Sequence, residues 1–287
     1  MSKRFILGTV QFGLDYGINN AAGKPSKESV FEILDLAHAN GIQELDSADA
    51  YGNAQELIGE FMTTTGKHFQ VNSKFHIHGQ TTISDQLTKT LEQLQIKTLN
   101  VYFFHRFQDA EQAPESFEEL KRLKKQNRIA KIGVSVYTNE ELESCIANEN
   151  IDVIQLPFNL LDNYSRRGAL LRKAKNKGKE LQVRSVFLQG LFFRDAESFP
   201  ETLLPLTKYI SRLNDIAVNG NLSMYDLALN YVLSKSEIDK VIIGVDSKEQ
   251  LQNNLAISKK TMNEALVSEV DKVNVKEEAL LYPYNWK

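Results

Sequence analysis

Residues 71–134 read VNSKFHIHGQTTISDQLTKTLEQLQIKTLNVYFFHRFQDAEQAPESFEELKRLKKQNRIAKIGV. Three short runs in this stretch, Val71–Lys74, Leu99–Phe104 and Ile129–Val134, are rich in apolar and β-branched residues. That is the composition of strands buried on both faces of a parallel sheet. Between them, Ile83, Leu87, Leu91 and Leu94 recur every three or four residues, as do Phe117, Leu120 and Leu123. Such spacing gives each intervening segment one apolar stripe and predicts the helices Ile83–Leu94 and Phe117–Asn127. Strand, helix, strand, helix, strand is two overlapping βαβ units.

The same alternation continues in both directions. Strands are expected at Phe5–Thr9 and Ile42–Asp46 on one side, and at Val153–Leu156, Leu181–Val186 and Val241–Ile243 on the other. Helices are expected at Lys27–Asn40, Asn139–Ala147, Ser165–Lys177 and Met224–Leu233. Ser26, Thr138 with Glu141, and Ser223 with Asp226 supply N-terminal caps, and Gly41 and Gly178 supply stops. Eight strands alternating with helices predict an α/β protein of the (β/α)8 TIM-barrel class, for which about 250 residues suffice. No linker or low-complexity stretch divides residues 1–287, so the expectation is one domain with a C-terminal tail at about 276–287. Two connections after strands are long. Residues 10–25 contain Gly13, Gly17, Gly23 and Pro25, and residues 187–222 contain a further helix around Leu203–Val218. In a barrel these loops line the C-terminal face, where function concentrates.

Composition narrows the partners. Of 287 residues 42% are hydrophobic, and 34 basic against 37 acidic side chains leave a net charge of −3. That balance offers no basic face for a polyphosphate backbone, which argues against nucleic acid. No apolar run approaches the length of a membrane span. The run Phe5–Val10 is too short for a signal-peptide core. Cys145 is the only cysteine, so no internal disulfide can form, and the expected compartment is the reducing cytoplasm.

Four polar residues close consecutive predicted strands or follow them directly: Asp46, Tyr51, Lys74 and His105. Singly, each has an ordinary reading as a cap, a surface lysine or a packed histidine. A barrel would gather them around one mouth, and together they form a proton-transfer device. Hydride reduction of a carbonyl needs a proton delivered to the oxygen, and a phenol can give it. A nearby ammonium is expected to lower the phenol's ordinary value of about 10. Asp46 would hold Lys74 charged, and His105 would hydrogen-bond the substrate oxygen.

These motifs resemble the aldo-keto reductase family of NAD(P)H-dependent barrel enzymes. The matching stretches are Leu7-Gly8-Thr9, Asp46-x4-Tyr51-Gly52-Asn53-x2-Glu56-x2-Gly59, Ser73-Lys74, the apolar run ending at His105, and Ile132-Gly133-Val134-Ser135. The resemblance implies Tyr51 as general acid/base, tuned by Lys74 and Asp46, with His105 orienting substrate. It also implies that Ser135 and Gln155 hold the nicotinamide carboxamide, although Val136 stands where an asparagine often follows the serine. Arg184, Ser185 and Gly190, in Arg184–Leu191, would run along nicotinamide and pyrophosphate, with Arg184 where many members stack an aromatic ring. Thr9 in the first-strand match joins this cofactor set. Gly244, Asp246, Ser247, Lys248, Gln250, Asn253 and Asn254 resemble the adenosine-phosphate loop. The family implies NADP(H), but Asp246 occupies a position often basic and opens NAD(H) use, with Lys248 the nearby cation.

Further readings remain open from sequence. Lys74 at a strand end permits a Schiff-base lyase or aldolase, and a nucleotide-binding regulatory subunit of reductase type is a third possibility. No GxGxxG follows a strand, and His76 with His78 has no further ligand at metal spacing. Tyr102, Phe103 and Phe104 read as barrel packing. The tail Tyr282-Pro283-Tyr284-Asn285-Trp286 is either disordered or folded over the mouth. Loop residues Asp15, Tyr16, Asn19, Asn20, Arg106 and Asn163 suit a hydroxylated substrate, and Gly8–Ile18 resembles bacterial members associated with surface sugars. The expected substrate is an aldehyde, ketone or keto-sugar.

Overall fold

The structure, a computed structural model, describes residues 2–18, 20, 23–77, 79, 81–258 and 262–286. Asn19 and His78, singled out above, lie outside the described residues. Among the described residues the strands are β1 (Phe5–Gly8), β2 (Glu44–Asp46), β3 (Gln70–Phe75), β4 (Leu99–Phe104), β5 (Ile129–Ser135), β6 (Val153–Pro157), β7 (Glu180–Arg184) and β8 (Lys240–Gly244). They pair in parallel in sequence order, and β8 closes on β1, giving a (β/α)8 barrel. Each expected strand is present, with ends moved by a residue or two. Strand β7 stops at Arg184 because Ser185 takes a left-handed φ of 61°, which a ladder cannot continue.

The helices form where caps and stripes coincide. Ser26 accepts from the Ser29 amide to open the helix Lys27–Ala39. Thr138 with Glu141, and Ser223 with Asp226, form reciprocal capping boxes at the helices Asn139–Ala147 and Met224–Leu233. The long second loop begins as a chain of 3-10 turns and becomes α-helical at Thr207–Asn219, later than the expected 203. Pro205 sits inside the preceding 3-10 turn Glu201–Leu206, just before the α-helix begins.

The barrel interior is not uniformly apolar. Low in the lumen Asn100 donates to Asn72 (2.9 Å), Asn72 reaches Gln182 (3.4 Å), and Lys240 pairs with Glu44. Val101, Phe103 and Val153 form a small apolar cluster apart from the main core. Gly133 makes room for it, since a Cβ there would stand 2.3 Å from the Phe103 ring. Tyr102 and Phe104 pack in the main core against Phe75, at ring separations of 4.5 and 4.8 Å. Phe103 therefore stands on the face of β4 opposite Tyr102 and Phe104, apart from the main core.

On the rim's far side, Arg167 is fully buried and binds Asp162 through two N–H groups (2.9 and 2.8 Å). It also donates to Asn139 (2.7 Å) and to the Tyr137 carbonyl, tying the loops after β5 and β6 together. Arg167→Met removes the two shorter contacts to the buried Asp162 charge and leaves it only the Arg166 Nε–H at 3.4 Å. A loss of about 3–5 kcal/mol in denaturant unfolding is expected. Substituting Asp162 by Asn as well should recover part of it; a single variant as stable as wild type would contradict this account.

Candidate active site

Asp46 ends β2 and Lys74 lies near the end of β3, so adjacent parallel strands carry both to the same rim. They form an ion pair with Asp46 4% and Lys74 2% exposed. Removing two charges from water is costly unless their remaining hydrogen-bonding capacity is met. Much of it is met: Lys74 also donates to the Ser47 carbonyl (3.3 Å), and Gln155 on β6 donates to the second Asp46 oxygen (2.9 Å). The Phe103 ring lies 5.9 Å below the ammonium and excludes water from beneath it.

Tyr51 is brought to this pair by a turn clamped from β1's loop. The carbonyl of Tyr51 accepts from Ala54 (3.0 Å) as the helix Ala54–Thr65 begins. Gly13 packs so closely that a Cβ would stand 1.8 Å from the Tyr51 oxygen, and Gly52 adopts φ 53° against Gly13. Only glycine serves both positions at ordinary cost. Held this way, the Tyr51 ring centre lies 5.3 Å from the Lys74 ammonium and 6.0 Å from the His105 ring. His105 follows β4, its amide donating to Phe75 (2.9 Å), and stacks on His76 at 4.4 Å. His76 in turn meets Asp109 at 3.2 Å.

Burial dominates the protonation of this group. It pushes the Tyr51 phenol well above its ordinary value, and the Asp46 charge adds to the push. This corrects the expectation of a lowered phenol: the Lys74 charge is largely answered by Asp46, so desolvation wins. Burial pulls Lys74 below its ordinary value, with Asp46 opposing. His105 is held down to about 2, first by burial and then by the Lys74 and His76 charges, so its imidazole is neutral. The rim thus holds a protonated phenol, an acid–ammonium pair and a neutral imidazole.

All four line one cavity of about 790 Å³, as do Thr9, Ser135, Gln155, Arg184, Ser185, Gly190, Gly244, Asp246, Gln250, Asn253 and Asn254. Two expected residues do not. Ser247 caps the helix Lys248–Ile257, and Lys248 turns away to Glu32 at 3.8 Å. Lys248 opens that helix on the side facing Glu32, while Gln250, Asn253 and Asn254 of the same helix face the cavity, a division that spacing along the chain did not reveal. Asp246 remains in the cavity, its Oδ1 buried without a partner.

Several lining residues were not anticipated: Gln11, Tyr137, Phe193, Tyr225 and Asp226. Tyr225 stacks on Phe193 at 3.5 Å, joining the second long loop to a barrel helix. Gln189 donates to the Tyr16 hydroxyl (3.1 Å) and thereby bridges the two long loops. Paired aromatics in loops carry no periodicity, so nothing in the sequence marked them. The C-terminal tail neither wanders nor enters the cavity lining. Its Tyr282 and Tyr284 rings pack edge-on against Tyr137, at 5.7 and 4.7 Å. Among the described residues no group of three or more His, Cys, Asp or Glu side chains could hold a metal ion, and no helix is long and apolar enough to cross a membrane.

The sequence profile of the Aldo/keto reductase family matches residues 4–275. The chain belongs to that family. It is therefore an NAD(P)H-dependent oxidoreductase. Aldo-keto reductase str7 of Strobilurus tenacellus is 24% identical over 86% of this chain and 82% of its own length. The NADH-specific methylglyoxal reductase of Escherichia coli is 21% identical over 82% of this chain and 84% of its own. Among solved structures, aldo-keto reductase AKR11C1 from Bacillus halodurans (holo form) superposes with a TM-score of 0.78 at 17% identity, covering 96% of this chain and 94% of that one. That likeness is one of fold.

The residues present fit a nicotinamide nucleotide. The cavity's volume lies within the range of sites that bury cofactors. Gln155 spends its amide N–H on Asp46, which leaves its Oε1 a buried acceptor without a partner. A carboxamide N–H is what such an acceptor lacks.

The low His105 value has a pH consequence. Between about 6.5 and 2 the unfolded chain binds a proton at this position and the folded chain does not. The full contribution is present above 6.5 and is lost progressively as pH falls. His105→Gln should therefore flatten the decline in melting temperature between pH 7 and 4.5. Parallel curves for variant and wild type would remove His105 from this role.

Proposed function

We propose that the chain reduces an aldehyde, ketone or keto-sugar carbonyl to the alcohol, with Tyr51 donating the proton. The observation that carries this reading is the buried Asp46–Lys74 pair beneath the Tyr51 ring, with neutral His105 across the same cavity. A bound dihydronicotinamide supplies the hydride. Tyr51 gives its proton to the carbonyl oxygen as negative charge develops there; its raised value keeps that proton in place through neutral pH. Lys74 stabilises the phenolate left behind, and Asp46, fixed by Gln155, keeps the ammonium oriented. His105, uncharged, hydrogen-bonds the substrate oxygen without competing as an acid. Committed to Asp46, the Lys74 nitrogen is poorly placed as a free amine, which disfavours Schiff-base chemistry.

Ser135 and Gln155 would hold the carboxamide, while Thr9, Ser185, Gly190, Gly244, Gln250, Asn253 and Asn254 would follow the rest of the nucleotide. We favour NADH over NADPH. Asp246 offers an unpartnered buried oxygen that suits a ribose hydroxyl and repels a 2′-phosphate, and Lys248 is engaged with Glu32. The lone buried thiol Cys145 suits a cytoplasmic setting.

Tyr51→Phe should cut carbonyl reduction by about 10²–10⁴-fold while cofactor fluorescence titrations stay unchanged. Near-normal turnover would remove Tyr51 as the proton donor. Asp246→Arg should raise affinity for NADPH relative to NADH by about tenfold, equivalent to roughly 1.4 kcal/mol. An unchanged ratio would place the 2′ position elsewhere.

A further inference from the structure

The charged side chains among the described lining of the cavity are Asp46, Lys74, Arg184, Asp226 and Asp246. Lys74 is answered by Asp46. Arg184 has no such answer: its contacts are one hydrogen bond to the Val136 carbonyl (3.2 Å) and the Tyr137 ring, which its guanidinium faces at 4.2 Å. A guanidinium carries five N–H donors in a rigid fork and stays charged at all physiological pH. Most of that fork is therefore unused, in a cavity where an unpaired charge is costly.

The guanidinium is held, not loose. Strand β7 fixes its backbone beside Pro157 on β6. Tyr137 covers one face; that ring is backed by Tyr282 and Tyr284 of the tail, and its carbonyl is gripped by buried Arg167. The position is also close to the chemistry. Its charge acts on Tyr51, Lys74 and His105 alike, and on Tyr16 at the loop bridge.

We propose that the free edge of Arg184 is an anion subsite for the substrate, so that the preferred carbonyl compound carries a carboxylate or phosphate group. This rests on the carbonyl-reductase reading of the same cavity and narrows its substrate class. Charge-assisted, fork-shaped recognition both strengthens binding and fixes which end of the substrate faces Tyr51. Stacked against Tyr137, the fork loses little side-chain freedom on engaging an oxyanion.

The test uses matched aldehydes: 4-oxobutanoate against butanal for a carboxylate, and glyceraldehyde 3-phosphate against glyceraldehyde for a phosphate. Wild-type protein is expected to show kcat/KM at least about tenfold higher for the anionic member of one pair or both, and the pair that responds identifies the anion. Arg184→Met should lower kcat/KM for the anionic aldehyde of the responding pair about tenfold more than for its neutral partner, erasing the preference, and Arg184→Lys should keep part of it. Calorimetric titration of 4-oxobutanoate and of glyceraldehyde 3-phosphate into wild type and Arg184→Met, with the oxidised cofactor present so that no hydride can be transferred to the aldehyde, gives a readout independent of turnover. No wild-type preference in either pair overturns the proposal. So does an equal loss for charged and neutral members, which would place Arg184 on the nucleotide or in the fold. If no aldehyde is reduced but either anion binds only when Arg184 is present, the subsite stands and the reductase reading falls. If neither occurs, both fall.

Discussion

One buried ion pair organises the active end of this barrel. Asp46 and Lys74 sit on neighbouring strands, almost sealed from solvent, with Gln155 and the Ser47 carbonyl meeting their remaining hydrogen-bonding capacity. A pair so enclosed contributes little net stability and would be strongly destabilising if split. Its value is positional. It places a fixed cation under a phenol, and every other feature of the rim is arranged around that fact. Phe103, given room by Gly133, presents an apolar ring 5.9 Å from the ammonium.

The phenol's placement depends on a second constraint, a backbone contact too close for any side chain. Gly13 and Gly52 let the loop after β1 lie directly against the Tyr51 carbonyl, so the first long loop is both a wall of the cavity and a clamp on Tyr51. The second long loop is joined to the first by Gln189 and Tyr16, and to the barrel helix Met224–Leu233 by Phe193 and Tyr225. Loops after strands do most of the work on this face, while the opposite half of the lumen is filled by a network of amides and one ion pair. That division separates chemistry from support, as expected for parallel barrels.

Protonation in the site follows from enclosure more than from pairwise charge. Enclosure is the largest reason the phenol keeps its proton and the imidazole refuses one, with neighbouring charges adding to both shifts, whereas a reading that counts only the nearest ammonium predicts the opposite for Tyr51. Arg184 stands out against this background as a cation whose surroundings stack and support it without neutralising it.

Residue order along the chain was enough to determine the eight strands, the capped helices and the four polar residues at or just beyond strand ends. Alternation of short apolar runs with striped segments is a local property, and parallel pairing sends every strand end to one rim. Motif resemblance also singled out glycines, amides and Asp246 that the structure places in the lining of the same cavity. What the chain order did not decide was direction and depth. Lys248 lies on the side of its helix that faces Glu32 and not the cavity, and Tyr137, Phe193 and Tyr225 enter the cavity from elements with no telling period. The upward shift of the Tyr51 phenol, the unanswered charge of Arg184 and the docking of the tail on Tyr137 depend on how much solvent each group loses. That is a property of packing in three dimensions, which no spacing along the chain records.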